Sequence, residues 1–141
     1  MTVTVPYVIP FHDVDSLDMV WHGHYYKYFE LARTMLYRSL NFDIDDMKRL
    51  GFTFPVIESQ CRYSEALRYG QQVDISAHFH EWEYYILIEY RINETGSGKR
   101  AAYGHTKQAV CDLMGKLQPC VPESVSDIIA DHVATATKNT R

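Results

Sequence analysis

A chain of 141 residues suits one domain and leaves no room for two of ordinary size. With 46% hydrophobic and 23% charged residues, 7 Gly and 5 Pro, it is neither collagen-like nor broadly disordered, and a domain this long can hold a core without disulfides or metal. Fourteen basic residues against eighteen acidic ones give a net charge of -4, which argues against nucleic acid as a partner. The three cysteines, Cys61, Cys111 and Cys120, are odd in number and lack CxxC spacing, so they suggest neither a disulfide framework nor a zinc ribbon. The N-terminus is no basic-then-apolar leader, and no apolar run nears the roughly 18–20 residues a membrane span needs. A soluble, cytoplasmic protein is expected. Eleven tyrosines among nineteen aromatics imply interfaces or wet pockets, because a buried hydroxyl needs a partner.

In chain order, Val3 to Phe11 alternates and reads as a first strand, placed at a sheet edge by Pro6 and Pro10. A polar stretch from His12 to Gly23 precedes a long amphipathic helix, His24 to Leu40, whose apolar stripe is Tyr25, Tyr28, Phe29, Ala32, Met35 and Leu36. A shorter helix, Asp43 to Leu50, ends at Gly51, with acids first and Lys48 and Arg49 last, as the helix dipole prefers. Four strands follow: Thr53 to Tyr63, Val73 to Phe79, Tyr84 to Asn93 and Arg100 to Leu113, the last two joined by a hairpin-type turn at 94–98. Glu123 to Asp131 reads as a short terminal helix. The segment Ala134 to Arg141, poor in large apolar residues, is expected to form a flexible tail after a single domain spanning 1–133. Consecutive strands favour an antiparallel sheet, and the long helix must bury its stripe against one face of it. The expectation is an α+β fold with an antiparallel sheet wrapped around one long central helix.

Reactive side chains concentrate between the first strand and that helix. From His12 to His24 the chain holds Asp13, Asp15, Asp18 and three imidazoles, His12, His22 and His24. A helix N-terminus leaves unpaired N–H groups and a partial positive charge, suited to an anion or a polarised carbonyl oxygen. A carboxylate aimed at the same place can act as base or nucleophile, so acyl transfer is one reading. Three others stand beside it. Each Asp can be a turn or cap residue. The same His and Asp residues can form a metal cluster, although no HExxH-type spacing supports one. The histidines can also be plain surface groups.

The pattern Phe11-x-Asp13-x-Asp15-x-x-x-x-Val20-x-His22-x-x-Tyr25-x-x-x-Phe29-Glu30-x-Ala32-Arg33 resembles the signature of hotdog-fold acyl-CoA thioesterases of the 4-hydroxybenzoyl-CoA thioesterase type. Pro55 to Glu58, Cys61-Arg62-Tyr63 and Ala66 to Gly70 extend the likeness to roughly residues 5–115. The Phe11-His-Asp-Val-Asp and Val20-Trp-His-Gly-His segments are also similar to the branch found in aryl-polyene biosynthesis clusters. The resemblance implies a hotdog fold and a catalytic set of Asp15, His22 and Tyr25. Asp15 would attack the thioester carbonyl or activate water, the His22 backbone N–H would polarise its oxygen, and the Tyr25 hydroxyl would order water or substrate. Asp13, supporting the loop by hydrogen bonds, and Trp21, Arg62 and Arg68 are the substrate-binding residues it implies. Lys99, Arg100 and Lys107 are further cations for a carrier phosphate. No cofactor and no metal are implied. The partners would be an acyl-CoA or acyl-carrier-protein thioester and a second copy of the chain, in a homodimer assembling to a homotetramer with sites at the dimer interface. Glu30 reads as a structural partner of Arg33 or Arg62. One departure stands out: the family commonly has glycines where this chain has Ser16-Leu17-Asp18-Met19, which puts bulk and charge at the acyl entrance. That departure keeps open a non-catalytic acyl-binding or assembly subunit, and a hotdog 3-hydroxyacyl dehydratase is the other alternative.

Overall fold

The computed structural model describes residues 2–139, with side chains from 2 to 135. Five strands form one antiparallel sheet in the order β1-β4-β5-β6-β3, comprising β1 (Thr2–Val8), β3 (Val56–Tyr63), β4 (Gln72–Glu81), β5 (Ile86–Glu94) and β6 (Arg100–Gln108). Two residues of β2 (Phe52–Thr53) pair with two of β7 (Cys111–Asp112) as a small separate ladder. The helices are α1 (His24–Ser39), α2 (Ile44–Arg49) and α3 (Glu123–Asn139). β1 lies at a sheet edge, where Pro6 removes no needed ladder donor on the open side. The other edge is β3, which pairs only with β6.

Strand alternation decides which sheet face meets α1. In β4, Val73, Ile75, Ala77 and Phe79 are buried while their neighbours are not, and Ile86, Ile88, Tyr90 and Ile92 repeat the pattern in β5. Against them α1 buries Tyr25, Tyr28, Phe29, Ala32, Leu36 and Tyr37, with the rings of Phe29 and Tyr90 stacked 4.5 Å apart. Met35, placed on the stripe by spacing, is exposed, and Tyr37 takes its place in the core. Tyr37 can be buried because its hydroxyl donates to Gln108 Oε1 at 2.6 Å, while Gln108 Nε2 donates to the Phe54 carbonyl.

Several boundaries differ from the sequence reading: the first strand stops at Val8 short of Pro10, with Phe11 in a 3-10 turn, and the third run starts at Ile86 rather than Tyr84. The run from Thr53 is cut at Pro55, so β3 starts at Val56. The run ending at Leu113 divides into β6 and β7, whose partners are different strands. The terminal helix continues past Asp131 to Asn139: Val125, Ile129 and Val133 keep one face on the core at i,i+4 spacing, and alanines favour the helix. Residues 134–139 therefore belong to α3, and 140–141 of the expected tail lie outside the described residues. The short helix α2 matches its expected span, closed at its start by a reciprocal Asp43–Asp46 capping box.

Candidate active site

Pro10 ends the first strand and a single 3-10 turn, Phe11–Asp13, turns the chain toward α1. Val14 and Val20 then pair as an isolated antiparallel bridge, so residues 15–19 form a tight hairpin loop. It is closed by the Asp15 N–H on the Met19 carbonyl (2.9 Å) and the Asp18 N–H on the Asp15 carbonyl (3.1 Å). Asp18 occupies the left-handed region with φ 61°, a conformation Asp tolerates better than most residues. The loop thus forms its turn without the glycine common in the resembled family. Arg68 Nη1 donates to the Asp18 carbonyl at 3.0 Å and pins the tip.

The two aspartates of the Asp-x-Asp pair face different surroundings. Asp13 is buried, and its carboxylate accepts from Lys27 Nζ at 2.6 Å and Tyr28 Oη at 2.8 Å. Burial pushes its carboxyl pKa up, but the Lys27 and Tyr28 hydrogen bonds and the charges of Lys27 and His24 outweigh that and hold it below the ordinary value. His12 and His24 stand 3.6 and 3.9 Å from the same carboxylate. The Lys27 ammonium occupies the position a cation would take beside Asp13, and Asp15 lines a different pocket. Asp15 is half-buried; Oδ1 accepts the Leu17 N–H at 2.8 Å, while Oδ2 has no hydrogen-bond partner among the described residues.

A cavity of about 280 Å³ brings Asp15, His22 and Tyr25 together, with Leu17, Tyr63 and Glu65 also in its wall. At its helix end the His24 and Tyr25 N–H groups are spent on the carbonyls of Trp21 and His22, but that of His22, which lines the cavity, makes no hydrogen bond among the described residues. The His22 carbonyl accepts from Tyr63 Oη at 3.0 Å, which ties the start of α1 to edge strand β3. Tyr25 is buried, its ring edge-on to Tyr63 at 4.7 Å. Burial raises its hydroxyl pKa, a contact with the Leu67 backbone opposes, and nearby Cys61 adds to the rise. The group is therefore a neutral hydrogen-bonding phenol. Burial likewise pushes the Cys61 thiol up to about 11.

Several predicted residues lie elsewhere. Asp13 does not line this cavity, because both its oxygens are committed to Lys27 and Tyr28. Trp21 is half-exposed and packs over Gly23 and beside His22 and His24; a Cβ on Gly23 would lie 2.2 Å from its ring. Arg68 holds the loop tip, and Arg62 lies exposed on β3 opposite Tyr103, outside the cavity wall. Lys99 pairs with Glu65 at 2.6 Å and so stands at the rim, whereas Arg100 and Lys107 stack on Tyr103 and Tyr85. The expected pairing of Glu30 with Arg33 or Arg62 does not form among the described residues. Arg33 instead reaches Tyr90 Oη, and Glu30 lines a separate cavity of about 380 Å³ with Arg33, Tyr37, Phe54 and Val56. Tyr63 and Lys27 were missed as site residues. The Cys61-Arg62-Tyr63 likeness includes Tyr63 without giving it a role, and only the packing shows it reaching His22.

The sequence profile of a family described as the Thioesterase-like superfamily matches residues 9–129. The chain belongs to that superfamily. A Synechocystis protein provisionally named as an esterase is 37% identical over 70 residues, half of this chain and 42% of its own length. A Bacillus subtilis protein, YneP, provisionally named an acyl-CoA thioesterase, is 30% identical over 74 residues, 52% of this chain and 51% of its own. The chain thus spans about half the length of the curated relatives it matches. Among solved structures, Slr0204 of Synechocystis, a 1,4-dihydroxy-2-naphthoyl-CoA thioesterase, superposes with a TM-score of 0.82 at 16% identity, covering 93% of this chain and 97% of that one. At that identity the likeness fixes the fold: an α+β hotdog-type arrangement of a five-stranded antiparallel sheet and a helix. No helix of the described residues is long and apolar enough to cross a membrane.

Proposed function

We propose that this chain hydrolyses acyl thioesters in the cavity between the Asp15 loop, the start of α1 and Tyr63. The observation that carries the reading is one cavity lined by Asp15, a carboxylate with an unbonded oxygen, and by His22, whose backbone N–H has no partner among the described residues. Asp15 would attack the thioester carbonyl or activate a water, and the oxyanion would form against the His22 N–H. Such a preorganised donor contributes about 10²–10³ in rate. A thiolate leaves with little protonation, so neutral Tyr25 need only orient water or substrate. Membership of the superfamily and the YneP relative support the activity class.

The acyl group we propose is aromatic and short, as in 4-hydroxybenzoyl-CoA thioesterases. A cavity of about 150 Å³ admits benzene, so about 280 Å³ has room for a hydroxylated benzoyl group. CoA or a carrier protein would present it, with Lys99 at the rim and Arg62 further along β3 as phosphate partners. We also propose a single domain, a cytoplasmic location and a dimer that pairs into a tetramer. Support for the dimer is the open edge of β3, with Val56, Ile57 and Tyr63 exposed along it and Leu17 exposed in the cavity wall. A second reading rests on Glu30, the α1 carboxylate that lines the larger cavity together with Asp43.

Thiol release from a panel of benzoyl and long-chain acyl-CoA thioesters tests these readings. Asp15→Asn is expected to lower kcat by about 10²-fold or more, with Glu30→Gln close to wild type. Wild-type turnover by Asp15→Asn, or loss confined to Glu30→Gln, would refute the site. Acyl ligand bound without release would favour the binding-subunit alternative, and water loss from 3-hydroxyacyl thioesters the dehydratase.

A further inference from the structure

We propose that the outer face of the sheet carries a site for one divalent transition-metal ion, Zn²⁺ being the test case, formed by His78, His80 and Glu89. His78 and His80 sit two apart on β4, in the phase opposite to buried Ala77 and Phe79, so both point away from α1. Glu89 on β5 is the register partner of His78, and directly opposed residues share a face with Cβ atoms about 4.5–5.5 Å apart. The β4–β5 register shifts between Phe79 and Glu81, and a bulge of this kind re-aims the extra side chain, here His80, toward its neighbours. As a result His78 Nε2 and His80 Nδ1 lie 3.0 and 3.2 Å from the same Glu89 oxygen, and the ligand atoms of all three residues fall within 4.8 Å of one another.

The two His–Glu89 separations match what a metal requires. Metal–ligand arms of about 2.0–2.1 Å place donor atoms ~3.0 Å apart on an octahedral edge and ~3.4 Å apart on a tetrahedral one. Two imidazoles and a carboxylate suit zinc, nickel, copper and iron rather than calcium or magnesium. Hydrogen-bonded strands hold the three residues in register, so little ordering is needed on binding. Side-chain exposures of 42%, 59% and 44% leave the remaining coordination positions open to water. His105, opposite Glu89 on β6, extends the same cross-strand row. The group lies across the sheet from the Asp15 cavity and shares no residue with it. A metal-free reading also exists: two imidazoles hydrogen-bonded to one carboxylate.

Competition of the untagged full chain against a chromophoric chelator for Zn²⁺, with Co²⁺ absorption as a geometry readout, separates the two. One equivalent per chain is expected, weakened at least 10-fold by His78→Ala and by Glu89→Gln, and retained by His12→Ala/His24→Ala, which changes the other His–carboxylate group. Acyl-CoA hydrolysis by the two site variants should stay at the wild-type level, and circular dichroism checks their fold. No binding by the folded wild type at ~100 μM Zn²⁺, binding that survives His78→Ala, or binding lost with His12 and His24 would overturn the proposal. None of these outcomes depends on whether the chain is a hydrolase.

Discussion

Asp13 and Asp15 lie two residues apart, and removing their carboxylates should produce opposite phenotypes. Asp13→Ala deletes the acceptor for Tyr28 Oη and Lys27 Nζ but leaves the backbone bonds of Asp13 to Pro10 and Trp21 in place. Tyr28 is fully buried, so its hydroxyl is orphaned at a cost of about 1–3 kcal/mol. The Lys27 side chain is 42% exposed and regains water, so the ion pair adds only about 0–1 kcal/mol. The expected loss is about 2–3 kcal/mol. With a urea m-value of about 1–3 kcal/mol/M, that lowers the midpoint by about 0.7–3 M, read at fixed protein concentration because self-association shifts stability. Adding Tyr28→Phe should cost less than the sum of the single changes, since the two groups share one interaction. The pH dependence has a definite sign. The folded pKa of Asp13 lies below the ordinary 3.8, so its stabilisation is fully present above that value and fades as pH falls through the folded pKa. The advantage of wild type over Asp13→Asn should therefore be largest near neutrality and shrink below pH 3.8. Asp15→Asn, by contrast, should stay within about 0.5 kcal/mol of wild type, as expected of a partly exposed loop residue. An Asp13→Ala midpoint within 0.3 M of wild type, at any reasonable m-value, would refute the account of Asp13 as the buried anchor.

Tyr63→Phe removes the bond to the His22 carbonyl, worth about 0.5–1.5 kcal/mol, and should lower the urea midpoint by about 0.2–1.5 M and kcat/KM of acyl-CoA hydrolysis by about 2- to 10-fold. Gly104→Ala would place a Cβ 2.0 Å from the Gln60 carbonyl oxygen and force β3 away from β6; a loss of about 1–3 kcal/mol in urea unfolding is expected. Asp18→Ala should cost about 1 kcal/mol because alanine tolerates φ 61° poorly, whereas Asp18→Gly should cost nothing measurable. Equal stability of the two Asp18 variants would show that loop strain is not what selects this residue. Sedimentation should show a dimer or larger for wild type and a smaller species for Ile57→Lys on the open β3 edge; a stable, active wild-type monomer would contradict the proposed assembly.

Hydrophobic periodicity made much of this protein legible in its sequence. Alternation in Val73 to Phe79 and the three-four spacing of Tyr25, Tyr28, Phe29, Ala32 and Leu36 specify buried faces, because burial of those side chains drives both elements. The cluster of aspartates and histidines before a helix likewise marked the region of interest. What local pattern could not decide was which members of the cluster share a pocket. Asp13 and Asp15 look equivalent in a row of letters, yet a 3-10 turn buries one against Lys27 and a hairpin loop turns the other to the cavity. Tyr63 joins the site from 41 residues away, and Glu89 meets His78 and His80 only because β4 and β5 pair in that register. Such contacts depend on long-range packing and on a one-residue bulge. The sequence by itself therefore determined the elements and their buried faces, through local periodicity. Tertiary structure alone decided which reactive groups face one another, because side chains distant in sequence meet only when the sheet register and helix packing are set.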